Sequence, residues 1–292
     1  MTEQSSKRVG TLGLVLVVII AIGVVVLGLL AVSITERRWE AQRPALVVKP
    51  IAEWEANNAV WGENYPREYE SFLMTKETET KTKFGGDFPR DYLEDDPNLV
   101  VLFAGYGFSK DFLQARGHAY AVEDIVNTKR IKSPYNAGTC WTCKSPDVPR
   151  MMNKIGVKEF YAANWHDLKD EITNPIGCQD CHDPKTMNLR ISRPALREAW
   201  ESMGKNIDEA THQEMRSLVC AQCHVEYYFA KEPKNYLTFP WSEGTDVEGM
   251  IAYFDERGFA DWTHAISKTP MIKAQHPDYE MWKTGVHAFK GV

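Results

Sequence analysis

The chain has no cysteine to spare. Its six cysteines fall into three pairs, Cys140 with Cys143, Cys178 with Cys181, and Cys220 with Cys223. Whatever uses those pairs leaves no thiol for a disulfide framework or for a separate nucleophile. Internal repeats beyond the pairs are missing, and so are low-complexity tracts, which excludes a repeat array or a disordered linker protein. There is also no surplus of positive charge. The 34 Lys and Arg stand against 40 Asp and Glu, a formal net charge of -6, which argues against nucleic-acid binding.

One long apolar run is present. Gly10–Ile34 is 25 residues without a charge, rich in Val, Leu and Ile. As a helix it would reach about 37 Å, enough to span the hydrocarbon core with some tilt. A secretory signal usually has a shorter apolar core and a small-x-small cleavage site. Ala31-Val-Ser33 is a passable site, so a cleaved signal and a soluble product remain an alternative, but the length favours a retained anchor. Lys7 and Arg8 precede the run and Arg37 and Arg38 follow it, so flanking charge gives little orientation.

The pairs carry the chemistry. Cys178-Gln-Asp-Cys181-His182 and Cys220-Ala-Gln-Cys223-His224 are C-x-x-C-H sequences. This is the attachment signature of c-type haem (heme c): two thiols bond the porphyrin and the next residue ligates the iron. Zinc ribbons and redox dithiols also use C-x-x-C. Neither gives a role to a histidine directly after the second cysteine, and a four-cysteine zinc site would leave one pair over. Cys140-Trp-Thr-Cys143-Lys144 has lysine in the ligand position. An amine binds iron only when neutral, so it must be desolvated or otherwise lose proton affinity. An unusual axial ligand is one way to retune a haem for chemistry rather than electron transfer. The competing reading is a haem ligated from elsewhere, with Lys144 merely solvated.

Wider segments resemble a known family. Cys140-Trp-Thr-Cys-Lys-Ser-Pro-Asp147, Cys220 to Phe229, Lys268-Thr-Pro-Met-Ile-Lys-Ala-Gln-His-Pro277 and Arg116-Gly-His-Ala-Tyr-Ala-Val122 closely resemble the pentahaem, ammonia-forming cytochrome c nitrite reductases. The resemblance runs from about Trp61 to the last residue. Members carry the lysine-ligated motif first and four C-x-x-C-H motifs after it. This chain holds the first three and stops before the position of the fourth, so it reads as a C-terminally truncated form. The organisation expected is a cytoplasmic tail over 1–9, a transmembrane anchor over 10–34 and an incomplete multihaem catalytic domain over 35–292. Because porphyrin replaces much of an aliphatic core, the fold expected is mainly α with long loops and little sheet.

The resemblance implies roles residue by residue. The catalytic haem would be held by Cys140, Cys143 and Lys144, with Arg130, Tyr227 and His276 lining the substrate pocket. Arg130 comes from aligning Asp124–Arg130 with the family segment, and Arg116 is the fallback. Glu226, the Tyr227 carbonyl, the Lys273 carbonyl and the Gln275 side chain match a calcium site, an oxygen set suited to a hard cation. His118 matches the distal ligand of the third haem, and His287 that of the fifth, whose motif this chain lacks. His166, His212 and His264 receive no role. Locally, Asn57–Trp61 and Tyr65–Tyr69 read as irregular connections. Thr75–Lys83 reads as a charged, strand-capable segment, and Ala210–Ala230 as a helix with Met215, Leu218 and Val219 on one face.

Two functions of different class follow. One is reduction of nitrite to ammonium, fed by a quinol-oxidising membrane cytochrome c, in a protein that is homodimeric at full length and faces the periplasm. The other is a three-haem electron-transfer cytochrome or an inactive remnant. Hydroxylamine or sulfite reduction is a weaker third reading.

Overall fold

The structure is a computed structural model that describes residues 2–42, 49–83, 85–86, 88–131 and 134–291. Two compact units are present, Met1–Lys49 and Pro50–Val292. The first contains helix α1 (Thr2–Gln42). Its stretch Gly13–Trp39, 27 residues of mean hydropathy 3.4, is long and apolar enough to cross a membrane. Leu, Val and Ile side chains are exposed on all sides of it, which suits an apolar surrounding and not water. The helix continues past Ile34 because Thr35 returns its hydroxyl to the Ala31 carbonyl at 2.7 Å, satisfying its polar group internally.

The second unit is mostly helical, with short helices joined by long connections. In chain order they are α2 (Asn58–Gly62), α3 (Pro66–Met74), α4 (Tyr92–Asp95), α5 (Asn98–Leu102), α6 (Ala121–Asn127), α7 (Asp147–Ile155), α8 (Val157–Ala162) and α9 (Trp165–Leu168). There follow α10 (Cys178–Cys181), α11 (Pro194–Ser202), α12 (His212–Ala221), α13 (Val247–Glu256), α14 (Asp278–Lys283) and α15 (Val286–Phe289). Among the described residues sheet is confined to three antiparallel pairs: β1 (Lys81–Thr82) with β2 (Gly85–Gly86), β3 (Tyr228–Ala230) with β4 (Tyr236–Thr238), and β5 (Trp262–Thr263) with β6 (Pro270–Met271). The expected fold class is therefore found.

Three local expectations are corrected. Asn57–Trp61 and Tyr65–Tyr69 are not irregular: the Asn57 side chain caps α2 by accepting from the Ala59 N–H at 3.0 Å, and Pro66 opens α3 at its first position. Within Thr75–Lys83 only Lys81 and Thr82 form strand. The helix expected over Ala210–Ala230 stops at Ala221. It starts at a capping box, in which Thr211 and Glu214 exchange side-chain and backbone bonds. Turn-type bonds still reach back from Gln222 N–H and His224 N–H to Leu218 and Cys220 (3.1 and 2.8 Å), and the chain departs beyond them. The His224 carbonyl accepts from the Tyr279 N–H (3.2 Å), the Glu226 N–H donates to Glu280, and Tyr228 begins β3.

The core is built on the first cysteine pair. Trp141 is fully buried and stacks on Trp165 with ring centroids 4.6 Å apart. Around them pack Val148, Met151, Phe160, Tyr161, Leu196 and Leu218. Gly138, just before the motif, passes so close to the Phe160 carbonyl that a Cβ there would collide with it.

Candidate haem and substrate site

The residues between the paired cysteines all point inward. Trp141 and Thr142, Gln179 and Asp180, and Ala221 and Gln222 are each no more than 3 % exposed. They meet around Arg193, which is wholly buried. Its guanidinium donates to the Thr142 carbonyl (2.7 Å), to the Ser145 carbonyl (2.8 Å), to the Ser192 hydroxyl (2.6 Å) and to Asp180 Oδ1 (2.6 Å). Gln222 completes the join, donating to the Asp180 carbonyl at 2.7 Å and accepting from Ser192 N–H at 3.0 Å. Asp180 also accepts from Gly177 N–H at 2.8 Å, holding its own turn. One buried polar cluster therefore fastens all three turns together, and a buried arginine is tolerated because its donors are matched.

The thiols lie outside that cluster. Cys220 is exposed and the other five are half-buried; none is in a disulfide. Burial pushes the thiols of Cys140 and Cys181 up to about 11 and about 12, and raises those of Cys178 and Cys220. Those four are not activated nucleophiles. The Cys143 and Cys223 thiols interact with one another, which lowers Cys143 and raises Cys223 well above the ordinary range, so the first and third pairs adjoin. Among the described residues, no three His, Cys, Asp or Glu side chains gather as a metal site.

Both C-x-x-C-H histidines have Nδ1 occupied. His182 Nδ1 lies 2.9 Å from the Met187 carbonyl, which accepts its proton and leaves Nε2 free. His224 Nδ1 lies 2.9 Å from Asp278 Oδ2 and is held in the same sense by a carboxylate. The His118 ring is 6.1 Å from the His224 ring, centroid to centroid. Two imidazoles that each bind one metal at about 2 Å leave their centroids roughly 6 Å apart, a spacing this pair has and that His224 and His276 share at 6.1 Å, so distance alone does not choose between them. Among the described residues no second histidine ring faces His182. His287 is exposed on α15 and stands outside the pocket group described next.

The expected substrate residues do meet. The Tyr227 and His276 rings are 5.3 Å apart, beside the first and third motifs. His276 Nδ1 accepts the Val225 N–H at 3.3 Å, so the neutral ring carries its proton on Nε2. Burial holds His276 down at about 4. A backbone hydrogen bond opposes this, while His224 and Lys144 add to it. Tyr227 is pushed well above the ordinary phenol range, chiefly by burial and also by Cys143 and Cys140. Lys144 is half-buried, and its charge also lowers His118.

Arg130 stands at the rim, its guanidinium 4.4 Å from the Phe108 ring centroid, and its charge reaches Tyr227 and Cys140. Arg116 is committed elsewhere: it bonds Asp124 at 2.6 Å and Glu123 at 2.7 Å and lies over Tyr120. The geometry thus favours Arg130 over its fallback.

The calcium candidates also converge. Glu226 is buried and accepts the Gln275 N–H at 2.6 Å. Burial raises its carboxyl to about 7, with nearby Glu280 adding to the effect. Glu280 Oε2 is buried and finds no hydrogen-bond partner among the described residues. The Lys273 ammonium folds back on the Ala274 carbonyl (2.9 Å), the Gln275 carbonyl (3.2 Å) and Gln275 Oε1 (3.3 Å). Of the oxygens the ammonium touches, Gln275 Oε1 is one of the four candidate donors; with the desolvated Glu226 and Glu280 carboxylates near this segment, the donor types available here are those a hard cation such as calcium takes. Arg193, Asp278 and Glu280 were missed in the sequence because each acts on a partner far along the chain.

Comparison with known proteins identifies the family. The family described as cytochrome c552 matches residues 57–292. A cytochrome c-552 of Bacteroides fragilis is 55% identical over 279 residues, covering 92% of this chain and 56% of the relative. One from Desulfotalea psychrophila is 45% identical over 293 residues, covering 94% and 55%. A solved cytochrome c nitrite reductase from Desulfovibrio desulfuricans, whose catalytic subunit is described as having two calcium sites, superposes with a TM-score of 0.77 at 33% identity. It covers 84% of this chain and 58% of that one. The chain spans about half the length of the curated relatives it matches. It belongs to the cytochrome c552 family.

Proposed function

We propose that this member of the cytochrome c552 family is the catalytic-haem portion of a nitrite reductase that forms ammonium in a multi-electron reduction. The observation that carries the reading is the meeting of Tyr227 and His276, 5.3 Å apart, next to the one motif that has lysine as its ligand residue. Cys140, Cys143 and Lys144 would hold a haem c, which would supply the electrons for the reduction.

The protein groups do the rest. With Nδ1 occupied, neutral His276 offers Nε2–H as a hydrogen-bond donor toward an anion's oxygen. Arg130 and a cation beside Glu226 give the pocket a positive potential that draws in a small anion such as nitrite. Tyr227, kept protonated by burial, donates its phenolic proton or holds an oxygen in place. Glu226, the Tyr227 and Lys273 carbonyls and Gln275 hold calcium. Cys178, Cys181 and His182 hold a second haem, and Cys220, Cys223, His224 and His118 a third. His287 is left for a haem outside this chain.

The globular unit lies on the periplasmic side of the bacterial inner membrane, anchored by α1. Its electrons come from a quinol-oxidising membrane cytochrome c, and the full-length protein is a homodimer. A visible spectrum of the haem-loaded protein with and without nitrite tests the reading. A shift confined to one high-spin haem, lost in Lys144→His, supports it. No shift would assign the chain to electron transfer alone.

A further inference from the structure

The two C-x-x-C-H histidines are held by different acceptors. His182 Nδ1 faces a neutral carbonyl, that of Met187, whereas His224 Nδ1 faces the carboxylate of Asp278, both at 2.9 Å. Asp278 is the first residue of α14, and α14 is pinned to the segment it serves. The Tyr279 N–H donates to the His224 carbonyl at 3.2 Å, and the Glu226 N–H and Trp241 Nε1–H both donate to Glu280 Oε1, at 3.1 and 2.7 Å. The carboxylate is therefore presented to the ring by a fixed helix end.

We propose that Asp278 is a positioning residue that tunes the third haem: by accepting the Nδ1 proton of His224, it makes this ligand more basic and lowers the reduction potential of the iron His224 binds. A carboxylate draws the N–H proton more strongly than a carbonyl does, which gives the imidazole more anionic character and favours ferric over ferrous iron. Because the Cys143 and Cys223 thiols interact, a haem on the third motif would lie near one on the Lys144 motif. Lowering its potential gives its electrons more driving force toward that neighbour. The inference rests on His224 as an iron ligand and is independent of which substrate the Lys144 haem reduces.

Asp278→Asn suits the test because it keeps the size of the side chain and leaves His224 itself in place, while removing the carboxylate that faces Nδ1. Redox titration of the haem-loaded protein from native membranes, followed by visible and electron paramagnetic resonance spectra without substrate, would compare wild type with Asp278→Asn and Asp278→Glu. In Asp278→Asn one low-spin haem should move to a more positive midpoint while the others hold; Asp278→Glu should stay near wild type. Unmoved midpoints in Asp278→Asn, or an equal shift of every haem, would overturn the proposal. So would His224→Met with every low-spin signal unchanged, since His224 would then not be a ligand. All these readings are taken without nitrite, so they succeed or fail separately from the nitrite assignment.

Discussion

Replacing Arg193 with methionine tests whether the three haem-bearing turns are held by one buried cluster. The substitution keeps much of the side-chain volume but removes the donors to Thr142, Ser145, Ser192 and Asp180. Asp180 is 3 % exposed and would be left as a buried, uncompensated carboxylate. Breaking such a pair from one side costs about 3–5 kcal/mol, and the orphaned carbonyls of Thr142 and Ser145 add to it. For a unit of this size, about 2–4 °C per kcal/mol makes the expected fall in midpoint roughly 6–20 °C. Thermal unfolding of the haem-loaded protein, followed by its Soret band, gives the readout. Adding Asp180→Asn to Arg193→Met should recover a substantial part of the loss, because the stranded charge is then gone. A fall of only a few degrees in Arg193→Met would refute the reasoning and reduce the cluster to a bystander.

Other outcomes follow from the same geometry. His276→Ala should lower nitrite turnover by about 10²–10⁴-fold with haem content unchanged, as measured by steady-state assay, since a positioned proton donor is lost. Chelating calcium should lower the unfolding midpoint, by about 2.7 kcal/mol of stability if the ion had been at a hundredfold its Kd. Glu226→Gln should make the midpoint insensitive to the chelator. Thr211→Ala should cost about 1 kcal/mol in denaturant unfolding through loss of the α12 cap. The Glu214 carboxyl in that capping box is held below its ordinary range, first by the Thr211 backbone N–H and then by the Thr211 hydroxyl. Its contribution is therefore present above the ordinary carboxylate pKa and lost as pH falls through the depressed value. Wild type and Glu214→Gln should differ at neutral pH and converge in acid.

What could be read from the sequence divides by range. The cysteine pairs and their candidate ligands are contiguous, so the haem-attachment motifs were legible as motifs residue by residue. The meeting of Glu226, Tyr227, Gln275 and His276 became legible only through family resemblance, because about fifty residues separate the two segments. The hub at Arg193 gave no signal: Ser192-Arg193-Pro194 reads as an ordinary helix entry, and the carbonyls it serves lie far back in the chain. The end of α12 was missed for a similar reason. Its apolar spacing runs on, while tertiary bonds to Tyr279 and Glu280 pull His224–Glu226 out of helix. At α2 and α3 the local signals were present, in Asn57 and Pro66, and were outweighed by the polar, proline-punctuated surroundings.

The most direct test of the nitrite assignment is an isotope experiment on the haem-loaded protein purified from native membranes, given nitrogen-15 nitrite and a strong one-electron donor. The account predicts nitrogen-15 ammonium as the product, formed by wild type and formed about 10²–10⁴-fold more slowly by His276→Ala. A fully haem-loaded, reducible wild-type protein that forms no labelled ammonium would contradict it.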